Sequence, residues 1–527
     1  MPIPIIDLFA GPGGLAEGFS SLISDEGERV FKIELSIEKD FHAHQTLTLR
    51  SFVRQFPPGN LPDEYYRFTE GNITIGELFN AYPEQHLHAA GEAWQATLGQ
   101  TPSEEVDRRI AESLAERNYW VLIGGPPCQA YSNAGRSRVG GISEDDHRVY
   151  LYKEYLRIIA RHHPTVFVME NVEGLLSASL NGERIFSWIL RDLSAPATVF
   201  GDYDSPGYRI YSLVREEVGR DSDYLIRAED YGIPQKRHRV ILIGVRDDNP
   251  GRPGILNPAP RVSLESVIGA FPQIRSGMNR TFTRSENVLT KEGIFKKKRY
   301  YEKAEDSFEN WLELTGNLRA ELTRSLDMET VIPEGGFPQD TGEAFKPFAG
   351  PLIADGHPLA NWYTDARMTG ITHHESRSHL TQDLKRYLFA ALYTRKNGRF
   401  PKLNDYRLFD EEILPDHENV SSGKFTDRFR VQVPAAPATT VTSHISKDGH
   451  YFIHYDHIQC RSLSVREAAR IQTFPDNYFF CGSRTEQFHQ VGNAVPPFLA
   501  WQIAGVVREI FIPQENENNI RLHEINL

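Results

Sequence analysis

At 527 residues the chain is long enough for two or more domains with sizeable cores. Its net charge of -13, from 71 acidic against 58 basic residues, argues against indiscriminate binding to polyanions, which needs an overall basic surface. Three cysteines without close spacing, Cys128, Cys460 and Cys481, exclude a disulfide framework and a cysteine zinc cluster, and no apolar run approaches the roughly eighteen residues of a membrane span. The chain opens directly on a strand-like run with no basic-then-apolar leader, so a soluble, cytoplasmic protein is expected.

The first element is the run Ile3-Pro4-Ile5-Ile6-Asp7-Leu8-Phe9, read as a strand. The stretch from Ala10 to Phe19, with Gly11, Gly13, Gly14 and Gly18, follows as a glycine-rich turn opening into a helix. Glycines let the backbone approach a nucleotide-like ligand closely, although tight packing alone gives the same pattern. A second strand-like run over residues 30–37 places Glu38 just past its end, where an acidic residue accepts hydrogen bonds from ribose hydroxyls in nucleoside-binding α/β folds. Alone, Glu38 also fits a solvated loop carboxylate; behind the glycine turn, the ribose reading is favoured.

Residues 76–118 are charged and helix-leaning, and are expected on the periphery. The apolar run Tyr119-Trp120-Val121-Leu122-Ile123 then leads into Gly124-Gly125-Pro126-Pro127-Cys128-Gln129-Ala130-Tyr131-Ser132. A buried strand ending in glycines and a proline pair delivers a lone thiol onto a stiff, exposed turn, a suitable place for a nucleophile. Glu170 ends the run Val166-Phe167-Val168-Met169, and Arg237 and Arg239 stand at the mouth of the run Val240-Ile241-Leu242-Ile243. At i and i+2 on one strand, the two arginines are expected to point the same way.

These motifs occur in the order found in DNA (cytosine-5-)methyltransferases, which the chain resembles: Asp7 to Gly14, Gly125-Pro126-Pro127-Cys128-Gln129, Glu170-Asn171-Val172, Gln235 to Arg239, Arg461 to Pro475, and Gln490 to Pro497. The resemblance covers roughly residues 1–50, 120–250 and 425–510 and is more specific as a set than any member. It implies an S-adenosylmethionine-dependent enzyme with a Rossmann-like α/β fold, a mostly parallel sheet with helices on both faces, and a smaller, irregular target recognition domain.

Carbon 5 of cytosine is a poor nucleophile, so a thiolate must first add across the carbon 5–carbon 6 bond to give an enamine; the resemblance assigns Cys128 that role. A carboxylic acid on ring nitrogen 3, Glu170, eases the addition, and Arg239, with Arg237 in second place, holds the base's carbonyl oxygen. Carbon 6 is inaccessible within a base stack, so the cytosine must leave the duplex, with Gln129 and Ser132 filling the vacancy or holding the backbone. For the cofactor, the resemblance implies Phe9, Gly11, Gly13 and Gly14 at the amino-acid end, Glu38 on the ribose, Pro126 and Leu151 at the periphery, and Asn493 and Val495 closing the pocket. Leu151 follows Asp146-His147-Arg148, similar to the family's Asp-x-Arg-x-x-Leu helix start. Gly71-Asn72-Ile73 stands where the family has Gly-Asp-Ile, with the Asn72 amide offered to the adenine amine. No metal is implied.

The expected organisation is a catalytic domain over residues 1–250, completed by 486–512, a target recognition domain over 251–485, and a loose tail over 513–527. The linker begins at Asp247-Asp248-Asn249-Pro250. Basic residues concentrate between Arg275 and Lys303 against the acidic background, as a candidate phosphate contact or a solvated face. Thr439-Thr440-Val441-Thr442-Ser443 reads as an edge strand, and the segment from Arg461 to Gln472 as a Ser-capped helix that organises the recognition domain. The expected partners are double-stranded DNA and a cognate restriction endonuclease, with no membrane. A tRNA cytosine methyltransferase and an inactive DNA-binding homologue would share much of this pattern.

Overall fold

The computed structural model describes residues 2–127, 147–180, 182–201, 203–289, 295–329, 335–409, 413–414 and 429–511. Its centre is one sheet: β1 (Ile3–Leu8), β2 (Phe31–Glu38), β3 (Ala93–Gln95), β4 (Val121–Gly124), β5 (Val166–Val172), β6 (Tyr208–Ser212), β7 (Leu225–Arg227) and β8 (His238–Arg246). The order is β3-β2-β1-β4-β5-β8-β6, with β7 also paired to β8. Strands β3, β2, β1, β4 and β5 are parallel; β8 runs antiparallel to β5, β6 and β7. An antiparallel strand begins where its parallel neighbours end. The start of β8, with Arg239, therefore shares an edge with the ends of β1, β2, β4 and β5.

Helices α1 (Gly14–Ser20), α2 (Phe41–Arg54), α3 (Ser103–Leu114), α4 (His147–His162) and α5 (Ile185–Ser194) follow in the first part of the chain. The strands are near-continuous apolar runs because both sheet faces are covered. One face packs Ile6, Leu8, Leu35 and Ile37 with α3, α4 and α5. The other packs Ile5, Ile33, Val121 and Ile241 with α1 and with a helix from the end of the chain, described below. Each fully buried side chain of this size contributes about 1.5–3 kcal/mol.

The expectation of a peripheral 76–118 segment is corrected. It holds β3, which extends the sheet beyond β2, and α3, whose Val106 and Ile110 are wholly buried in the core. The short helices Asp63–Thr69, Ile75–Ala81 and Pro83–Glu92 also pack, through Tyr65, Phe68, Leu78 and Ala89, against α2 and Cys481. Tyr65 donates to the Asn477 carbonyl at 2.5 Å, tying this helical layer to the second lobe.

The linker also differs from expectation. Ala259 N donates to the Asp230 carbonyl at 2.9 Å, so the chain stays on the lobe that holds the sheet past Gly254. The second lobe has two cores, one around Val262, Leu264, Tyr363 and residues 463–494, the other around Trp311, Tyr387 and Phe429. Its elements include α6 (Thr381–Asn397), α7 (Val465–Ile471) and α8 (Arg484–Asn493), after which α9 (Pro497–Phe511) returns to the sheet against α1. Ser464 caps α7 in a capping box with Glu467, as its sequence predicts. Thr439 belongs to a two-residue strand paired with Gln235–Lys236, so this hydroxyl-rich segment joins the lobes. Among the described residues no helix is long and apolar enough to cross a membrane.

Candidate active site

The parallel strand order reverses at β1, with β2 on one side and β4 on the other. Open α/β sheets bind ligands at the strand carboxyl ends beside such a reversal. Phe9 and Gly11 follow β1, Glu38 ends β2, and Gly125 and the buried Pro126 follow β4. The turn is sharp: Phe9, Gly11 and Gly13 have φ of 55°, 57° and 93°. At Phe9 a non-glycine residue occupies the left-handed region, a conformation held by its surroundings.

Glu38 bridges the crevice. Its Oε2 accepts from Gly11 N at 2.8 Å, and its Oε1 from Lys39 N and Asp40 N, both at 2.8 Å. A carboxylate has about four lone-pair sites, so these three bonds leave capacity for a ligand hydroxyl. A Cβ on Gly11 would meet no protein atom within 4 Å, so space stands open over the turn. Open room above a glycine turn, with a fixed carboxylate beside it, fits the amino-acid end and ribose of S-adenosylmethionine.

Gly14 sits differently: a Cβ there would lie 2.3 Å from the Val495 carbonyl oxygen. Val495 is buried, and its backbone presses on the start of α1; Asn493, at the end of α8, is exposed, 3.4 Å from His489 Nδ1. Leu151 lies beside Gly99, whose Cβ would be 3.6 Å from Leu151 Cδ2, so the start of α4 flanks the loop after β3.

Asn72 is a correction. It follows no strand of the sheet, but lies in an exposed turn between two short helices, its amide donating to Glu70 Oε2 at 2.8 Å. The strand beside β2 is β3, so Gln95 and Ala96 take the place expected for Asn72. Gln95 Nε2 donates to the Lys39 carbonyl at 3.3 Å, and Ala96 N to the Glu38 carbonyl at 3.1 Å. Gln95 gave little sequence signal, because a three-residue strand is too short to show an alternation.

On the far side of β4, Arg239 Nε lies 2.6 Å from Glu170 Oε1. In the register Arg239 faces Val172 and Glu170 faces Ile241, a diagonal pair on one sheet face. Arg239 Nη1 donates to the His238 carbonyl at 2.8 Å, which fixes the fork. Both side chains are 14% exposed, enough for a ligand to touch. A Cβ on Gly125 would come within 2.9 Å of Glu170 Oε2, so the chain leaving β4 passes directly over this carboxylate. Cys128, Gln129, Ser132 and Asp146 lie outside the described residues.

Arg237 does not join Arg239. The strand is interrupted at residue 237, which breaks the two-residue alternation. Its guanidinium is buried and donates to the Val441 carbonyl at 2.8 Å and the Gly492 carbonyl at 3.3 Å. Burial, reinforced by Arg239 and opposed by Glu170, pushes its pKa well below the ordinary arginine value. Its place is a strut between the lobes, alongside Gln235, which donates to Gln472 Oε1 at 2.8 Å. Gln472 in turn donates to the Val491 carbonyl at 2.6 Å.

A family model described as C-5 cytosine-specific DNA methylase matches residues 85–509. The type II methyltransferase M.Bpa9945I of Bacillus paralicheniformis is 32% identical over 523 residues, covering 96% of this chain and 98% of that protein. The DNA (cytosine-5-)-methyltransferase M.ApeKI of Aeropyrum pernix is 25% identical over 425 residues, covering 74% and 81% of the two chains. A solved structure of a prophage-encoded Escherichia coli protein superposes with a TM-score of 0.50 at 18% identity, over 96% of this chain and 99% of that one. At that identity the likeness concerns the fold.

Proposed function

Since the chain belongs to the C-5 cytosine-specific DNA methylase family and uses S-adenosylmethionine to methylate DNA cytosine, we propose that Glu170, Arg239 and Cys128 carry the chemistry. The Glu170–Arg239 pair at the strand ends, under the backbone of Gly125, is the observation that carries this reading. Glu170 hydrogen-bonds ring nitrogen 3 of the flipped cytosine and delivers the proton that eases addition at carbon 6. Arg239, ion-paired with the carboxyl and fixed through Nη1 on the His238 carbonyl, presents its guanidinium edge to the base's carbonyl oxygen. The Cys128 thiolate makes the addition.

Phe9, Gly11 and Glu38 hold the cofactor, with Pro126 and Leu151 at its edge and Gln95 in place of Asn72. When bound, it supplies the electrophilic methyl group. Arg237 holds the lobes together rather than the base. Gln129 and Ser132, beside the nucleophile in sequence, fill the vacancy left by the base or hold the DNA backbone. The type II relatives support a modification role beside an endonuclease that cuts the same site.

The test is bisulfite sequencing of DNA from a methylation-free bacterial host expressing this chain or its Cys128→Ala form. Protected cytosines in one short sequence context, present only with the intact thiol, are expected. Complete conversion in both hosts, with soluble protein in each, would overturn the assignment.

A further inference from the structure

Where the two lobes meet, at the far ends of α1 and α2, the protein holds a cavity of about 260 Å³. The first lobe supplies the last turns of both helices and the loop after each; the second supplies Asn361 to Asp365 with Pro475 and Asn477. An α-helix rises 1.5 Å per residue, so the end of α1 at Ser20 is on the order of 10 Å from the glycine turn at its start. None of the described residues assigned to the cofactor or to methyl transfer lines the cavity. Its charged wall consists of three guanidiniums, Arg29, Arg50 and Arg54, and two carboxylates, Glu17 and Asp365.

Glu17, Arg50 and Asp365 are committed to partners. Glu17 accepts from Arg50 Nε and Nη2 at 2.8 and 2.5 Å, and Arg50 Nη1 donates to Asn477 Oδ1 at 3.2 Å. Asp365 accepts from Tyr66 Oη at 2.9 Å, Asn477 Nδ2 at 2.8 Å and Arg367 N at 3.0 Å. The other two guanidiniums are not. Arg54, its side chain only 7% exposed, meets Glu92 through Nη2 at 2.5 Å, while its Nε and Nη1 are buried with no partner among the described residues. Asp7 does not answer them: burial, against the pull of Arg54, pushes its pKa well above the ordinary carboxylate value, and neither of its oxygens has a partner among the described residues. Arg29, in the loop after α1, makes one hydrogen bond, from Nη1 to the Ser20 carbonyl at 2.5 Å, and no ion pair among the described residues. Burial pushes its pKa down; Glu17 opposes this, and Arg54 and Arg50 add to it.

Buried donors without acceptors are costly, and two under-used guanidiniums in one wall call for an anion. Arginines from two separate elements suit a phosphate, which offers three acceptor oxygens and close to two charges; a carboxylate has two oxygens in one plane and is matched by a single fork. The cavity has room beyond an oxyanion, and Phe56, Pro57 and Trp362 make part of its wall apolar. We propose that this cavity binds a small phosphate monoester, with the phosphate on Arg29 and Arg54 and the organic part against Phe56, Pro57 and Trp362. Such a ligand bridges the lobes, because both contribute to the wall.

The probe is phenyl phosphate, titrated calorimetrically into the full chain saturated with S-adenosylmethionine, at constant ionic strength. Benzoate, a carboxylate on the same ring, is the comparison. The parent is expected to bind phenyl phosphate at a single site and benzoate about tenfold more weakly or worse. Arg29→Gln and Arg54→Lys should each weaken phenyl phosphate binding by about tenfold or more, the loss of a charge-assisted contact. Arg54→Lys keeps a cation beside Glu92 and removes only the fork; thermal melting checks folding, and Arg29→Gln, which gives up a single hydrogen bond, carries the test if Arg54→Lys unfolds. Arg108→Gln, exposed on α3, should bind as the parent does. No binding to the parent, parent-like binding by Arg29→Gln, an equal loss in Arg108→Gln, or equal affinity for benzoate would overturn the proposal. Displacement of the probe by a short DNA duplex would also overturn it, since the phosphate held there would then belong to DNA.

Discussion

Glu170 and Arg239 are separated by 69 positions in the chain and meet because β8 enters the sheet against β5 in the opposite direction. Glu170→Gln keeps the shape of the side chain and removes its capacity to deliver a proton, so the methyl-transfer rate should fall by about 10²- to 10⁴-fold. A single-turnover assay at saturating DNA and cofactor checks this, with an unchanged melting temperature as the control. A loss below tenfold would remove Glu170 from the chemistry. Both residues were legible in sequence as polar groups at the mouths of apolar runs. Arg237 was not legible, because its neighbour two positions on shares the same motif, and only the break in the strand at 237 sends it into the lobe interface. Asn72 was misread for the opposite reason: a familiar tripeptide lay in a turn, while the true neighbour of β2 was the three-residue strand ending in Gln95.

Among the elements, the α1–α9 seam explains part of the glycine pattern. Gly14 and Gly18, one turn apart on α1, face backbone: a Cβ at Gly14 would sit 2.3 Å from the Val495 oxygen, and one at Gly18 would sit 2.4 Å from the Pro497 oxygen. Such contacts cannot be relieved by a side-chain rotation. Gly14→Ala should therefore cost about 1–3 kcal/mol through forced backbone shifts and lower the melting temperature by several degrees. An unchanged melting temperature would show that the seam opens freely. The sequence leaves ligand approach and tight packing both open for the glycines of the turn; the fold divides them, with Gly11 under open space and Gly14 and Gly18 serving helix packing. A helix with a serine cap was expected between Arg461 and Gln472, and Ser464 is the serine that caps it. Its buried arginines could not be foreseen. Arg461 meets Glu467 through two bonds of 2.7 and 2.6 Å, and Arg470 meets Asp476 through bonds of 2.8 and 2.5 Å.

Over the whole molecule, the second lobe has a predictable response to acid. His373, His374, His379 and His454 are buried there. Burial pushes all four pKa values down, those of His374 and His454 to about 4, with Arg461 lowering both further and Glu467 opposing. In the unfolded chain these rings take up protons near pH 6.5. Between about pH 6.5 and 4 the unfolded state therefore binds more protons than the folded one, and stability falls as pH falls through that window. Glu467 acts in the same direction at lower pH. Although burial alone would raise its pKa, Arg461 holds it below the ordinary carboxylate range, so its contribution is present above about pH 4.5 and lost below. The urea midpoint should decline steadily from about pH 7 to pH 4.5. A flat profile would mean that the histidines take up protons in the native state.

The sequence by itself determined the order of chemical parts, the alternation of apolar strands and helices, and the edge of the sheet where those parts gather. These follow from local periodicity, turn chemistry and residue type. The tertiary structure alone decided that β3 lies within an apparent insertion and that Arg237 braces the lobes. Each of these depends on which distant segment supplies a hydrogen-bond partner or an opposing charge, and such pairings have no signature in the residues nearby.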